Sequence, residues 1–172
     1  MSWPMQPSSV NTGAAVAVAN NVYIERFSVP VTMKLGATAN ISVTTLFSGG
    51  HVDVGVYDSG GTLRWHTGGV STTSAAVVQT TGITAYTLQP GVVYYLASCA
   101  DNTTSITANV VAVGSSSNAG SVLLGGGTAN TFGTDSTAGD KCTSGVLAAS
   151  ITTTNIANST TNMQIPAVEV LN

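Results

Sequence analysis

Along "HVDVGVYD", His51 to Asp58, apolar and polar residues alternate almost strictly. Side chains two apart on a strand share a face, so Val52, Val54 and Val56 line one side. His51, Asp53, Gly55 and Tyr57 line the other. The valines take the buried side, and the opposite side is expected to be polar and outward. "DSGG" follows at 58–61 with turn residues that accept positive φ, and "LRWH" returns as a second strand. Strict alternation there sets Leu63 and Trp65 on one face and Arg64 and His66 on the other. The prediction is a hairpin with His51, Asp53, Arg64 and His66 on its outer face.

The same period recurs along the chain. "YIERFSVPVTM" sets Tyr23, Glu25, Phe27 and Val29 against Ile24, Arg26 and Ser28, with Pro30 expected at an edge or bulge. "ANISVTTLFSGG", "AAVVQTT", "ITAYTLQPG" and "SITANVVAV" read as further strands, and "VVYYLASCA" as a nearly continuous buried one. Helical spacing is nearly absent, and Thr, Val, Gly and Ser stand where helix formers would be needed. Short strands separated by Gly, Pro, Asn or Asp predict an all-β fold, an antiparallel β-sandwich of jelly-roll-like form. Residues 22–113 form its core.

The two ends break the pattern. Residues 1–21 read as an extended N-terminal arm with no core of its own. Trp3, Pro4, Met5 and Pro7 in it are candidate contacts to a partner subunit. Residues 114–172 begin with a long Gly/Ser/Thr-rich stretch that predicts a loop. "VLAASITTT" and "MQIPAVEVL" then read as closing strands, and this C-terminal extension is expected to pack on the core or on a neighbouring subunit. A loop of that length in a compact domain is normally functional or covered by a neighbour.

Composition changes the picture in one respect. Of 172 residues, 43% are hydrophobic but only 6% charged, where an average soluble protein has about 25%. A surface made of hydroxyls and amides has little like-charge repulsion to keep copies apart, which suits a protein that works in an assembly. The net charge of −3 and the scattered Arg26, Lys34, Arg64 and Lys141 offer no cluster to neutralise phosphates. No nucleic acid is therefore expected as a partner. No membrane partner is expected either: no apolar run is long enough to span a bilayer, no basic face suits anionic lipid, and no signal peptide is read. Cys99 and Cys142, 43 residues apart, read as two free buried thiols, although a disulfide between them is also open.

Candidate chemistry is sparse. His51, Asp53 and His66 on one face suggest a metal or acid–base site. A catalytic metal needs three placed ligands and a second shell, and no HxH, HExxH, CxxC or Cys/His cluster is present. A polar outer face with an Asp53–Arg64 or Asp53–His66 pair is the better reading. No GxSxG elbow, paired carboxylates or phosphate loop is found; Gly125–Gly127 lack a following Lys-Ser/Thr. Trp65 shares its predicted face with Leu63 and reads as core, not as a sugar platform. No enzyme activity, cofactor or metal is expected.

Two stretches carry a resemblance. "FSVPVTMKLGATANISVTTLFSGGHVDVGVYDSGGTLRWHTGGV" and the "L-x-PG-x-x-YYLA" strand from Leu88 to Ala97 resemble a β-sandwich module of tailed-phage virion proteins. That module occurs in capsid decoration and cement proteins, tail fibres and tailspikes. The resemblance spans about residues 22–113 and concerns packing and turns. It implies Val54, Val56, Leu88, Tyr95 and Leu96 as core, with Tyr57, Trp65 and Pro90 also defining the fold. Gly55, Gly60, Gly61 and Gly91 are the implied backbone positions. It further implies a virion structural protein, and the arm at one end with the Gly/Ser/Thr-rich extension at the other favours a decoration or cement protein on the capsid surface, a homotrimer bound to the major capsid protein. The alternative is a receptor-binding tail tip that recognises host surface glycan.

Overall fold

The computed structural model describes residues 10–15, 18–42, 47–73, 77–103, 107–111, 132–135, 138–158, 163–165 and 168–171. Among them the chain is nearly all β, and every strand pairing is antiparallel. The strands begin with β1 (Val10–Ala15), β2 (Val22–Ser28), β3 (Met33–Leu35), β4 (Thr38–Ser42) and β5 (His51–Asp58). They continue with β6 (Leu63–His66), β7 (Val70–Ser71), β8 (Val77–Thr81), β9 (Tyr86–Leu88) and β10 (Val93–Ala100). The last are β11 (Thr107–Val111), β12 (Phe132–Asp135), β13 (Ala157–Asn158), β14 (Met163–Ile165) and β15 (Val168–Leu171).

The largest sheet runs β13-β12-β2-β10-β5-β6, with β7 also paired to β5. Its centre is β10, the apolar "VYYLASCA", bonded to β2 on one side and β5 on the other. A strand apolar on both sides must be covered on both sides, and this one is. On one face Tyr23, Val52, Val54, Val70 and Ala100 pack with Ile41 of β4 and Val78 of β8. Next to them Phe27, Val29, Val56, Trp65 and Tyr94 pack with Leu35, Ala39 and Leu88, from β3, β4 and β9. Val22, Ile24, Tyr57, Ala97 and Cys99, on the opposite face, pack under residues 138–157 through Cys142, Leu147, Ile151 and Ile156. We call that segment the strap.

Several expectations meet this arrangement directly. Pro30, expected at an edge or bulge, instead sits in the bend where the chain leaves the large sheet: β2 ends at Ser28 and β3, in a different sheet, starts at Met33. Pro cannot donate to a ladder, and only an isolated bridge from Val29 to Pro90 continues the line. Val54, Val56, Tyr57, Trp65 and Leu88 are buried, and Tyr94 is the fully enclosed tyrosine of its pair. Tyr95 and Leu96, expected in the core, are only half-buried against the packed faces, because parity on β10 gives the enclosed position to Tyr94. Pro90 and Gly91 are exposed in the turn before β10, and Gly91 takes φ 74°.

At the ends the differences are larger. Residues 10–15, inside the stretch read as an arm, form β1 and pair with β11 of the same chain. Trp3, Pro4, Met5 and Pro7 lie outside the described residues, as does the stretch 114–131. "MQIPAVEVL" supplies β14 and β15, which pair with β11 and β4. "VLAASITTT" is not a strand. It touches the β6 edge through Leu63 N–H to Ala149 O (2.9 Å) and Ile151 N–H to Gly61 O (2.8 Å), then turns into a 3₁₀ segment, Thr153–Asn155. The contact amounts to one isolated antiparallel bridge, Thr62↔Ser150, just before β6.

Gly61 is where the strap meets the hairpin turn. It holds φ 82°, and a Cβ there would collide with the Ile151 carbonyl oxygen. Gly60 lacks positive φ, and its nearest obstacle is Asp58 Oδ1 at 3.4 Å. Gly61→Ala should therefore cost about 2 kcal/mol in urea denaturation, whereas Gly60→Ala should stay within about 0.5 kcal/mol. Equal effects at the two positions would mean that the strap does not sit on this turn.

Candidate functional site

The scarce ionisable residues gather on the strap-covered face of the β5–β6 hairpin. β5 alternation is as expected, with Val52, Val54 and Val56 on one side and His51, Asp53, Gly55 and Tyr57 on the other. The second side is not outward. Asp53 and Tyr57 are both 0% exposed, beneath the strap. Gly55 explains the close approach: a Cβ there would lie 2.8 Å from Leu147 Cδ1, His66 Cβ and Trp65 O. The Tyr57 hydroxyl donates to Ala148 O (2.8 Å), so the strap backbone satisfies the one polar atom of a buried ring. Burial, reinforced by Cys99 and Asp53 nearby, holds that phenol far above its ordinary value.

Asp53 is the hub. Its Oδ2 accepts from the Leu147 backbone N–H (3.0 Å) and from His66 Nδ1 (2.9 Å), and its Oδ1 accepts from Thr67 Oγ1 (3.0 Å). Thr67 Oγ1 in turn accepts from Val54 N–H (3.1 Å). A buried carboxylate is tolerated where several donors meet it, and here one donor comes from the strap. His66 keeps 40% of its side chain exposed. Its hydrogen bond to Asp53 raises its pKa, against the lowering effect of partial burial.

Arg64 does not join this group. The register shifts between Val56↔Trp65 and Tyr57↔Leu63, leaving Arg64 as the extra residue of a bulge. The bulge undoes the predicted alternation: Trp65 packs on the valine side, while Leu63 packs beside Tyr57 on the strap side. Trp65, 2% exposed, donates its Nε1–H to Gly36 O (2.9 Å), which suits a core residue. Arg64 Nε donates instead to Asp58 Oδ2 (2.7 Å). Asp58 also accepts from the N–H groups of Gly60 and Thr62 and so closes the hairpin turn. Partial burial pushes Asp58 up, but the Thr62, Arg64 and Gly60 hydrogen bonds outweigh it and the net shift is downward.

A second imidazole–carboxylate pair lies at the other end of β5. His51 Nδ1 is 3.2 Å from Asp101 Oδ2, and the His51 N–H donates to Asp101 Oδ1 (2.9 Å). Asn102 Nδ2 donates to the same oxygen (2.8 Å). Burial raises Asp101, and these three donors more than reverse it. Asp101 and Thr67 were not singled out in the sequence. Their positions just beyond β10 and β6 were the available signal, because a strand end is where a side chain can fold back onto its neighbour.

Chemically, these groups hold elements together. Among the described residues no group of three or more His, Cys, Asp or Glu is placed to hold a metal. The Nδ1 of His66 is engaged with Asp53. No protein-family model, no curated protein and no solved structure matches the chain.

Proposed function

We propose that this chain is a non-enzymatic structural protein of a tailed-phage virion. In this reading it is a capsid decoration or cement protein that binds the capsid lattice at the virion surface as a homotrimer. The observation that carries the reading is the adjacency of the two stretches behind the resemblance. The "VDVGVYDSGGTLRWH" hairpin and the "YYLA" strand are neighbours in one sheet, with Tyr95 opposite Tyr57 and Leu96 opposite Val56. In this reading the large sheet, with the β4, β8, β3 and β9 strands packed on its valine side, supplies the two layers of a jelly-roll-like β-sandwich. Function taken from a module is analogy, so the composition adds independent support. A chain with 6% charged residues carries little charge repulsion to oppose lattice assembly. Three imidazole or guanidinium–carboxylate pairs, His51–Asp101, Arg64–Asp58 and His66–Asp53, are internal among the described residues. Imaging the intact virion tests the proposal. We expect density for this chain repeated over the capsid surface, and binding of the purified protein to empty capsids. Density confined to the tail tip, with binding to host cells or their polysaccharide, would replace it with the receptor-binding alternative.

A further inference from the structure

We infer that Cys99 and Cys142 form a cross-link site, at which oxidation ties the strap covalently to the central strand of the large sheet. The two thiols reach each other from elements that are positioned independently. Cys99 lies on β10, opposite Asp53 of β5, in a strand paired on both sides. Cys142 is fixed by its own backbone, whose N–H donates to Asn20 O (3.2 Å), and its Sγ lies 3.7 Å from Asn20 Oδ1. Both are free and buried, and they belong to one packed group with Val22, Ile24, Tyr57 and Leu147. Cys99 and Cys142 therefore face each other across one buried cluster, between the large sheet and the strap. A disulfide requires two cysteines whose backbones bring the sulfurs together, and the shared buried cluster is what places these two on facing elements.

The site is latent in the folded chain. Burial first, and then the neighbouring Cys142 thiol, push Cys99 far above its ordinary value, so little thiolate is available while the strap is seated. The bond therefore forms during folding or when the strap opens. With oxidised glutathione, one cysteine thiolate attacks the glutathione disulfide and releases one glutathione thiol. The second cysteine thiolate then attacks the mixed disulfide and releases the other. The protein loses two protons and two electrons, and one glutathione disulfide becomes two thiols. The closed loop contains residues 100–141, most of them Gly, Ser, Thr, Ala, Asn or Val. Joining its ends removes conformational freedom from the unfolded chain, and the gain does not depend on the virion reading.

The test is an equilibrium one on the full chain. Wild-type protein is brought to equilibrium in buffers of defined reduced-to-oxidised glutathione ratio, once under folding conditions and once in urea. Acid quenching, thiol alkylation and peptide mass spectrometry then give the Cys99–Cys142 disulfide fraction. The folded chain should favour the bond over the unfolded chain by roughly 30- to 1,000-fold. By linkage, the oxidised protein should resist urea by the same factor. Refolding through urea gives the reagent access, so burial cannot hide the result. An equal or lower preference in the folded chain would overturn the inference. So would separate glutathione adducts on the two cysteines, or a disulfide between chains.

Discussion

Asp53→Ala should lower stability by about 2–4 kcal/mol, measured as a shifted urea midpoint with an unchanged slope. For a chain of 172 residues that corresponds to a thermal midpoint lower by roughly 5–15 °C. The estimate follows from what the carboxylate leaves behind. The Leu147 N–H donates to it in a place closed to water and loses its acceptor, while the Thr67 hydroxyl is left with only the longer contact to Gly68 O (3.3 Å). An orphaned buried donor costs about 1–3 kcal/mol. His66 is partly exposed and can turn to solvent, so its share is smaller. A polar outer face would behave differently: an exposed pair there is worth under about 1 kcal/mol. Amide exchange distinguishes the two, because only a strap held by Asp53 should show faster exchange at Leu147 in the variant. Asp53→Asn should fall between, since its amide keeps one acceptor oxygen but turns an N–H₂ group toward a donor.

The same substitution carries a pH signature. Asp53 raises the pKa of His66 in the folded protein above its unfolded value. A group so raised binds its proton more tightly when folded. Its contribution is therefore complete below the unfolded pKa and is lost as pH rises through the folded one. The gap between wild type and Asp53→Ala should accordingly be wider at pH 5.5 than at pH 8.5. A gap that does not change with pH would mean that His66 and Asp53 are not coupled.

What could be read from the residues, and what could not, divides along the strap. Alternation in "HVDVGVYD" correctly separates the valines from Asp53 and Tyr57, because strand parity is a local property. It says nothing of what lies above the second face. The covering residues Cys142, Leu147, Ile151 and Ile156 are spaced by five, four and five positions, which fits neither a strand nor a helix. Indirect signs were present. Gly55 and Tyr57 are unusual choices for a solvent-facing strand, and "VYYLASCA" has too few polar positions for a sheet wet on one side. The Arg64 bulge was beyond reach in a different way. A single extra residue leaves "LRWH" looking perfectly alternating while sending Leu63 and Trp65 to opposite faces.

Glu25 should make the protein lose stability as pH rises, and Glu25→Gln should restore it by up to about 3 kcal/mol above pH 8. The residue shares the inward side of β2 with Tyr23 and Phe27, faces Leu96 across the β10 pairing, and is 8% exposed. Burial pushes its carboxyl up from 4.5 to about 7. Below pH 4.5 both folded and unfolded chains carry the proton, and the variant and wild type should differ little. Between 4.5 and about 7 the unfolded chain has released a proton that the folded chain keeps. Stability then falls by about 1.4 kcal/mol for each pH unit until the folded group ionises too. Glutamine has nearly the same shape and never ionises, so the difference between the two stability curves isolates this group from every other titration. Denaturation of both proteins at intervals from pH 4 to pH 9 measures it. Parallel curves would show that the Glu25 charge is matched in the folded protein, and that its burial costs nothing at neutral pH.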